Sequence, residues 1–152
     1  MSAVQATREN RLPFYSTVGA RRLPTQKRLY EIENVVEKPT PTEAEQTLLV
    51  PGLRAGHYLC LFGMHVLTHT VMDLLEAALT EADKAEPIQL SPSLARLAAQ
   101  ERFLALEVQG HRYNLGVKYG LLQTQLALAL NGEDREEILA QLVEILASRG
   151  PA

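Results

Sequence analysis

Apolar and polar positions change period along the chain, and the changes mark its elements. The opening part reads as extended: a strand over 12–18, a turn at Gly19-Ala20, and a strand over 29–36 in which Tyr30, Ile32 and Asn34 alternate with Glu31, Glu33 and Val35. Pro39 and Pro41 end that strand, and a helical turn is expected over 42–46 because Thr42 and Glu45 stand at capping-box spacing. Behind Pro51-Gly52, the run Tyr58-Leu59-Cys60-Leu61-Phe62 predicts a buried strand over 57–62. The period then lengthens. Val66, Val71, Leu74, Leu75 and Leu79 recur at helical spacing with Asp73, Glu76 and Glu81 opposite, which predicts an amphipathic helix ending near residue 82. A short helix over 93–100, opened by Ser91 or Pro92, precedes a strand over 103–108, a turn at Gly110 and a brief extended stretch over 112–114. An apolar helix over 117–130 stops at Asn131-Gly132, and a final amphipathic helix over 133–148 carries Ile138, Leu142, Ile145 and Leu146.

No repeat or linker interrupts this order, so residues 1–152 read as one domain of α/β class, a mixed sheet with flanking helices. Its strands come early, without the helical crossovers of a complete parallel sheet. Unpaired strand edges and uncovered apolar faces are the expected consequence, with self-association through those edges or through the helix over 117–130 as the remedy.

Composition narrows the class. At 152 residues with 46% hydrophobic side chains, the chain can bury a true core without metals or crosslinks, which excludes disorder and disulfide-dependent folds. The single Cys60 lies inside an apolar run and reads as a buried, inert thiol. No apolar run approaches the ~18–20 residues that span a bilayer, and the first ten residues hold no signal-like apolar stretch. A cytoplasmic protein with no membrane contact is expected. Charge is uneven: Arg8, Arg11, Arg21, Arg22, Lys27 and Arg28 face only Glu9 within the first 29 residues. These cations interleave with Leu12, Phe14, Tyr15, Val18 and Leu23, so a solvated strand pair is the first reading and phosphate contact the second. No nucleic-acid-binding pattern accompanies them.

General catalytic signatures are missing: there is no Gly-rich phosphate loop, no Gly-x-Ser-x-Gly elbow and no His-Glu-x-x-His pair. His65, His69 and Asp73 stand at i, i+4 and i+8, the spacing of a metal set on one helix face, though solvated histidines at a helix start have the same spacing. The informative stretch is Val35-Val36-Glu37-Lys38-Pro39. A strand end holds Glu37 and Lys38 in place, where the carboxylate can accept hydrogen bonds from sugar hydroxyls and the ammonium can pair with a phosphate.

That tripeptide is followed in order by Gly56-His57-Tyr58, Ile88-Gln89-Leu90 and Tyr113-Asn114-Leu115-Gly116-Val117-Lys118-Tyr119-Gly120. The ordered set resembles the C-terminal half of sugar-1-phosphate nucleotidyltransferases, and within them the bacterial UTP-glucose-1-phosphate uridylyltransferases, over roughly residues 10–130. The resemblance implies a partial nucleotide-diphospho-sugar transferase, Rossmann-like fold without the family's N-terminal nucleotide-binding half. It implies that Glu37 binds glucose hydroxyls, that Lys38 binds the phosphate of a sugar phosphate or UDP-sugar, and that Gly56, Gly116, Lys118 and Gly120 match family positions, Gly116 allowing close backbone approach. Ser16 falls where relatives carry glycine after an aromatic residue and would narrow the sugar pocket. The family's Mg²⁺-binding Asp is replaced by Asn114, which keeps a carbonyl oxygen but lacks the charge a hard cation prefers.

Three functional classes follow. The chain is the sugar-phosphate-binding half of a uridylyltransferase, without catalytic residues of its own and unable alone to form UDP-glucose from UTP and glucose 1-phosphate. Or it is a non-catalytic module that self-associates or regulates a homologue. Or it is an unrelated small α/β protein.

Overall fold

The structure is a computed structural model and describes residues 1–24, 26–81 and 87–148. The chain divides into two compact units, Met1–Gln109 and Gly110–Ala152.

The first unit holds five strands: β1 (Ser2–Arg8), β2 (Thr17–Arg22), β3 (Leu29–Val36), β4 (His57–His65) and β5 (Leu104–Glu107). Their order β1-β4-β2-β3-β5 closes on itself as a barrel. Every pairing is antiparallel except β1 with β5. This corrects the expectation of unpaired edges, because each strand has a neighbour on both sides and closure removes the edge. β1 was not legible in the pattern. Its side chains Ser2, Ala3, Ala6 and Thr7 are short and give weak alternation, and it is held between β4 and β5 by pairing.

Other boundaries moved for local reasons. Of the strand expected over 12–18, residues 17–18 open β2, whereas 12–14 belong to a 3-10 helix over Glu9–Phe14 with Pro13 inside it, anchored by the fully buried Leu12 while Phe14 stays exposed. Gly19-Ala20 is no turn but the middle of β2, where a side chain at Gly19 would sit 2.9 Å from the Thr47 carbonyl oxygen. Opposite this point β3 carries an extra residue: Gly19 faces Asn34 and Ala20 faces Ile32. That bulge switches faces, so that Tyr30, Ile32 and then Val35 point into the core. Tyr30 donates its hydroxyl to Glu107 Oε2 at 2.8 Å, and burial, reinforced by that carboxylate, pushes its pKa up to about 12. Of the two arginines of β2, Arg21 is paired across the sheet, 2.6 Å from Glu31 and 3.5 Å from Glu33.

α1 (Pro41–Thr47) is capped by Thr40 rather than Thr42, the Thr40 hydroxyl accepting the Glu43 N–H at 3.2 Å. α2 (Thr70–Glu81) starts four residues later than the apolar repeat suggested, leaving Val66 outside it and exposed; the expected end at residue 82 lies outside the described residues. α3 (Leu90–Gln100) begins three residues earlier than expected, with Gln89 as its N-cap. α2 and α3 cover one face of the sheet, packing Val71, Leu74, Leu94 and Leu97 against Val4, Val18, Ile32, Leu59 and Leu61. The 3-10 helix and α1 cover the other, with Leu12, Ala44 and Leu48 against Tyr58 and Cys60. β4 is therefore buried on both faces, which explains its continuous apolar run. Cys60 is a buried free thiol, 3.4 Å from the Thr17 hydroxyl.

The second unit contains α4 (Gly120–Ala129) and α5 (Arg135–Ser148). The stretch expected to be extended over 112–114 has no regular structure. α5 has no buried residue and α4 buries only Gly120, while Leu121, Leu122, Leu128, Val143, Ile145 and Leu146 are exposed. No helix of the described residues is long and apolar enough to cross a membrane.

Candidate functional site

The bulge and the proline stop at the end of β3 deliver Glu37 to a point where three chain segments meet. Ser16, in the link between the 3-10 helix and β2, donates its hydroxyl to Glu37 Oε2. Its carbonyl accepts the Leu61 N–H at 2.8 Å, which ties this link to β4. Ser91, in the first turn of α3, lies 2.6 Å from the same Glu37 oxygen and 2.8 Å from Ser16 Oγ. Ser91 is only 4% exposed, so the cluster has a buried floor. Lys38 follows in the left-handed region, φ 47°, and places Nζ 3.8 Å from Glu37 Oε1, with most of its side chain in solvent.

These contacts fix the protonation of Glu37. Burial pushes its pKa up, but the two hydroxyl donors and the Lys38 charge outweigh that cost and hold the carboxyl below its ordinary value. Its place beside the first turn of α3 adds the favourable end of the helix dipole. The result is an ionised carboxylate, partly sheltered, with an exposed ammonium beside it. Such a pair can accept a ligand hydroxyl and meet a phosphate.

Of the residues singled out in the sequence, the structure brings together Ser16, Glu37 and Lys38. Gly56 stands just before β4 with φ 69°, five residues ahead of Leu61, roughly 16 Å along an extended strand from the level of Ser16. Asn114, Gly116, Lys118 and Gly120 belong to the second unit. There Asn114 Oδ1 accepts the Gly116 N–H at 2.9 Å, and Lys118 Nζ lies 5.1 Å from the centre of the Tyr119 ring. The tight approach falls on Gly120 rather than Gly116: a Cβ on Gly120 would lie 1.9 Å from the Asn114 carbonyl oxygen, against 3.4 Å from the Asn114 side chain for Gly116. Asn114 does not fit a resident Mg²⁺, being neutral with its side-chain oxygen already engaged by the turn. Among the described residues no group of three or more His, Cys, Asp or Glu could hold a metal ion. His65 closes β4 and pairs Nδ1 with the Ser2 hydroxyl at 2.6 Å, whereas His69 and Asp73 lie before and within α2, so the three do not share a helix face.

Sequence reasoning missed Ser91 as a site residue. It was visible only as a helix opener, and its role depends on α3 starting early enough to aim it at Glu37.

No protein-family model matches the chain. Among curated proteins it is 29% identical over 117 residues to UTP-glucose-1-phosphate uridylyltransferase 1 of Streptococcus pyogenes serotype M3, covering 77% of this chain and 34% of that protein. The UTP-bound UGPase from Acinetobacter baumannii is similar in structure, with a TM-score of 0.64 and 25% identity over 93% of this chain and 44% of the other. A UDP-glucose pyrophosphorylase complexed with UDP-glucose shares the fold, with a TM-score of 0.61 and 24% identity over 86% of this chain and 44% of the other. The resemblance in the motifs is thus borne out, and the reading as an unrelated α/β protein is set aside: the homologues are UTP-glucose-1-phosphate uridylyltransferases, and this chain spans about a third of their length.

Proposed function

We propose that the chain is a uridylyltransferase-like module that holds a sugar phosphate or UDP-sugar through Glu37 and Lys38 and does not transfer a nucleotidyl group by itself. The observation that carries the reading is the ionised Glu37, seated on Ser16 and Ser91 with Lys38 alongside. An ionised acceptor beside an exposed ammonium suits a ligand with hydroxyls at one end and a phosphate at the other. In this reading the sheet and its helices correspond to part of a nucleotide-diphospho-sugar transferase, Rossmann-like fold. By resemblance, Gly56 is a further ligand-binding position of the first unit, and Lys118 is a matched position within the second. In-line transfer requires positioning and charge stabilisation around the phosphates. The neutral Asn114, its side-chain oxygen engaged by the Gly116 N–H, supports this reading.

Calorimetric titration with UDP-glucose and with glucose 1-phosphate tests this. Saturable binding is expected, weakened roughly tenfold by Lys38→Ala through loss of a charge-assisted contact. Equal binding by both proteins would remove Lys38 from the site.

A second reading, a self-associating module, is favoured by one observation. The exposed leucines of α4 and the exposed Val143, Ile145 and Leu146 of α5 leave much apolar surface in water. Light scattering at micromolar protein should then give the mass of a homodimer or larger assembly, and a monomer mass would discard this reading.

A further inference from the structure

We infer that Ser16 and Ser91 act as an internal clamp that saturates one oxygen of Glu37, so that Ser16 limits a bound polyol to the other oxygen and sets the selectivity of the site. The inference rests on the reading of Glu37 as a sugar ligand and goes beyond it. A carboxylate offers about two acceptor positions on each oxygen. Both positions on Oε2 face serine hydroxyls, Ser16 as one donor and Ser91 at 2.6 Å as the other. Only two hydroxyl protons serve the three close oxygen pairs, so the Ser91 proton is shared between Glu37 and Ser16 Oγ, 2.8 Å away. Oε1 differs: its neighbour is Lys38 Nζ at 3.8 Å, an ion-pair distance longer than a hydrogen bond.

Both donors are fixed in place. Ser91 is buried in the first turn of α3, and Ser16 is tied to β4 through its carbonyl. A ligand hydroxyl can reach Oε2 only by taking the place of the Ser16 hydroxyl, where it would donate to Glu37 and accept from Ser91. With glycine at residue 16 that place opens, and a vicinal diol can bridge both carboxylate oxygens. Ser16 is accordingly a specificity-determining residue and Ser91 a positioning residue. Lys38 is the charged group facing Glu37.

The test has two readouts, one of them free of ligand. A carbon-13 NMR titration of the Glu37 carboxyl is run on the protein, Ser16→Gly, Ser16→Ala and Ser91→Ala, with circular dichroism confirming that each folds. The Glu37 midpoint is expected below the ordinary carboxylate value in the unaltered protein and higher in each variant, because burial then meets fewer donors. Unmoved midpoints would overturn the clamp. Calorimetry with UDP-glucose is expected to show Ser16→Gly binding about two- to tenfold more tightly, the worth of one net hydrogen bond. Equal or weaker binding by Ser16→Gly, in a protein that itself binds, would overturn the selectivity. Binding by neither would overturn the sugar reading together with the selectivity, while the NMR titration still decides the clamp.

Discussion

Replacing Leu59 by alanine is expected to cost about 2–5 kcal/mol of unfolding free energy, a large part of the roughly 5–15 kcal/mol a domain of this kind possesses. Leu59 is fully buried in the middle of β4, opposite Ala6 of β1 and Val18 of β2, in the core that α2 and α3 close. The strands on both sides are hydrogen-bonded to β4, so the surroundings cannot collapse freely into the space left by the lost methyl groups. Urea denaturation measures the effect, with Leu49→Ala as the control. Leu49 is 63% exposed, and its replacement should change stability by no more than about 0.5 kcal/mol. A loss below about 1 kcal/mol at Leu59 would mean that this core is looser than the burial pattern indicates.

The second large effect is expected at Gly120. With the Asn114 carbonyl oxygen 1.9 Å from where a Cβ would sit, Gly120→Ala cannot keep the turn that opens α4. The obstacle is backbone, also fixed by the Gly120 N–H bond to the Val117 carbonyl at 2.8 Å, so no flexible side chain can swing aside. Relief requires moving residues 114–119, including the left-handed Tyr119 and the neighbouring Lys118, at a cost of about 1–3 kcal/mol or more. Amide hydrogen exchange reads this locally: the Gln123 N–H, bonded to the Tyr119 carbonyl at 3.0 Å, should lose protection in Gly120→Ala. Gly116→Ala, facing an ordinary 3.4 Å contact, should retain it. Equal protection in the two variants would show that Gly120 tolerates a side chain.

The two variants show different kinds of legibility. Leu59 could be read from an unbroken apolar run, which is what two-sided burial writes into a strand. The importance of Gly120 over Gly116 could not, since both are glycines in one motif and only the fold of the turn decides which is crowded.

The same division runs through the protein. The elements β3, β4 and α2 were legible because each must bury one face or both, and burial imposes its pattern on the sequence. Glu37 and Lys38 were legible because a strand stopped by proline leaves two ionic side chains at its end. Three features were decided only in the tertiary structure. β1 exists because β4 and β5 supply its hydrogen-bond partners, which a run of short side chains does not announce. The barrel closes because β5 returns to pair with β1, a contact between residues about a hundred positions apart. Ser91 reaches Glu37 because α3 begins at Leu90 and the β3 bulge sets the phase of the strand's end. Local pattern records which side of an element is apolar; which distant atoms fill the remaining hydrogen-bond positions is settled only when the elements pack.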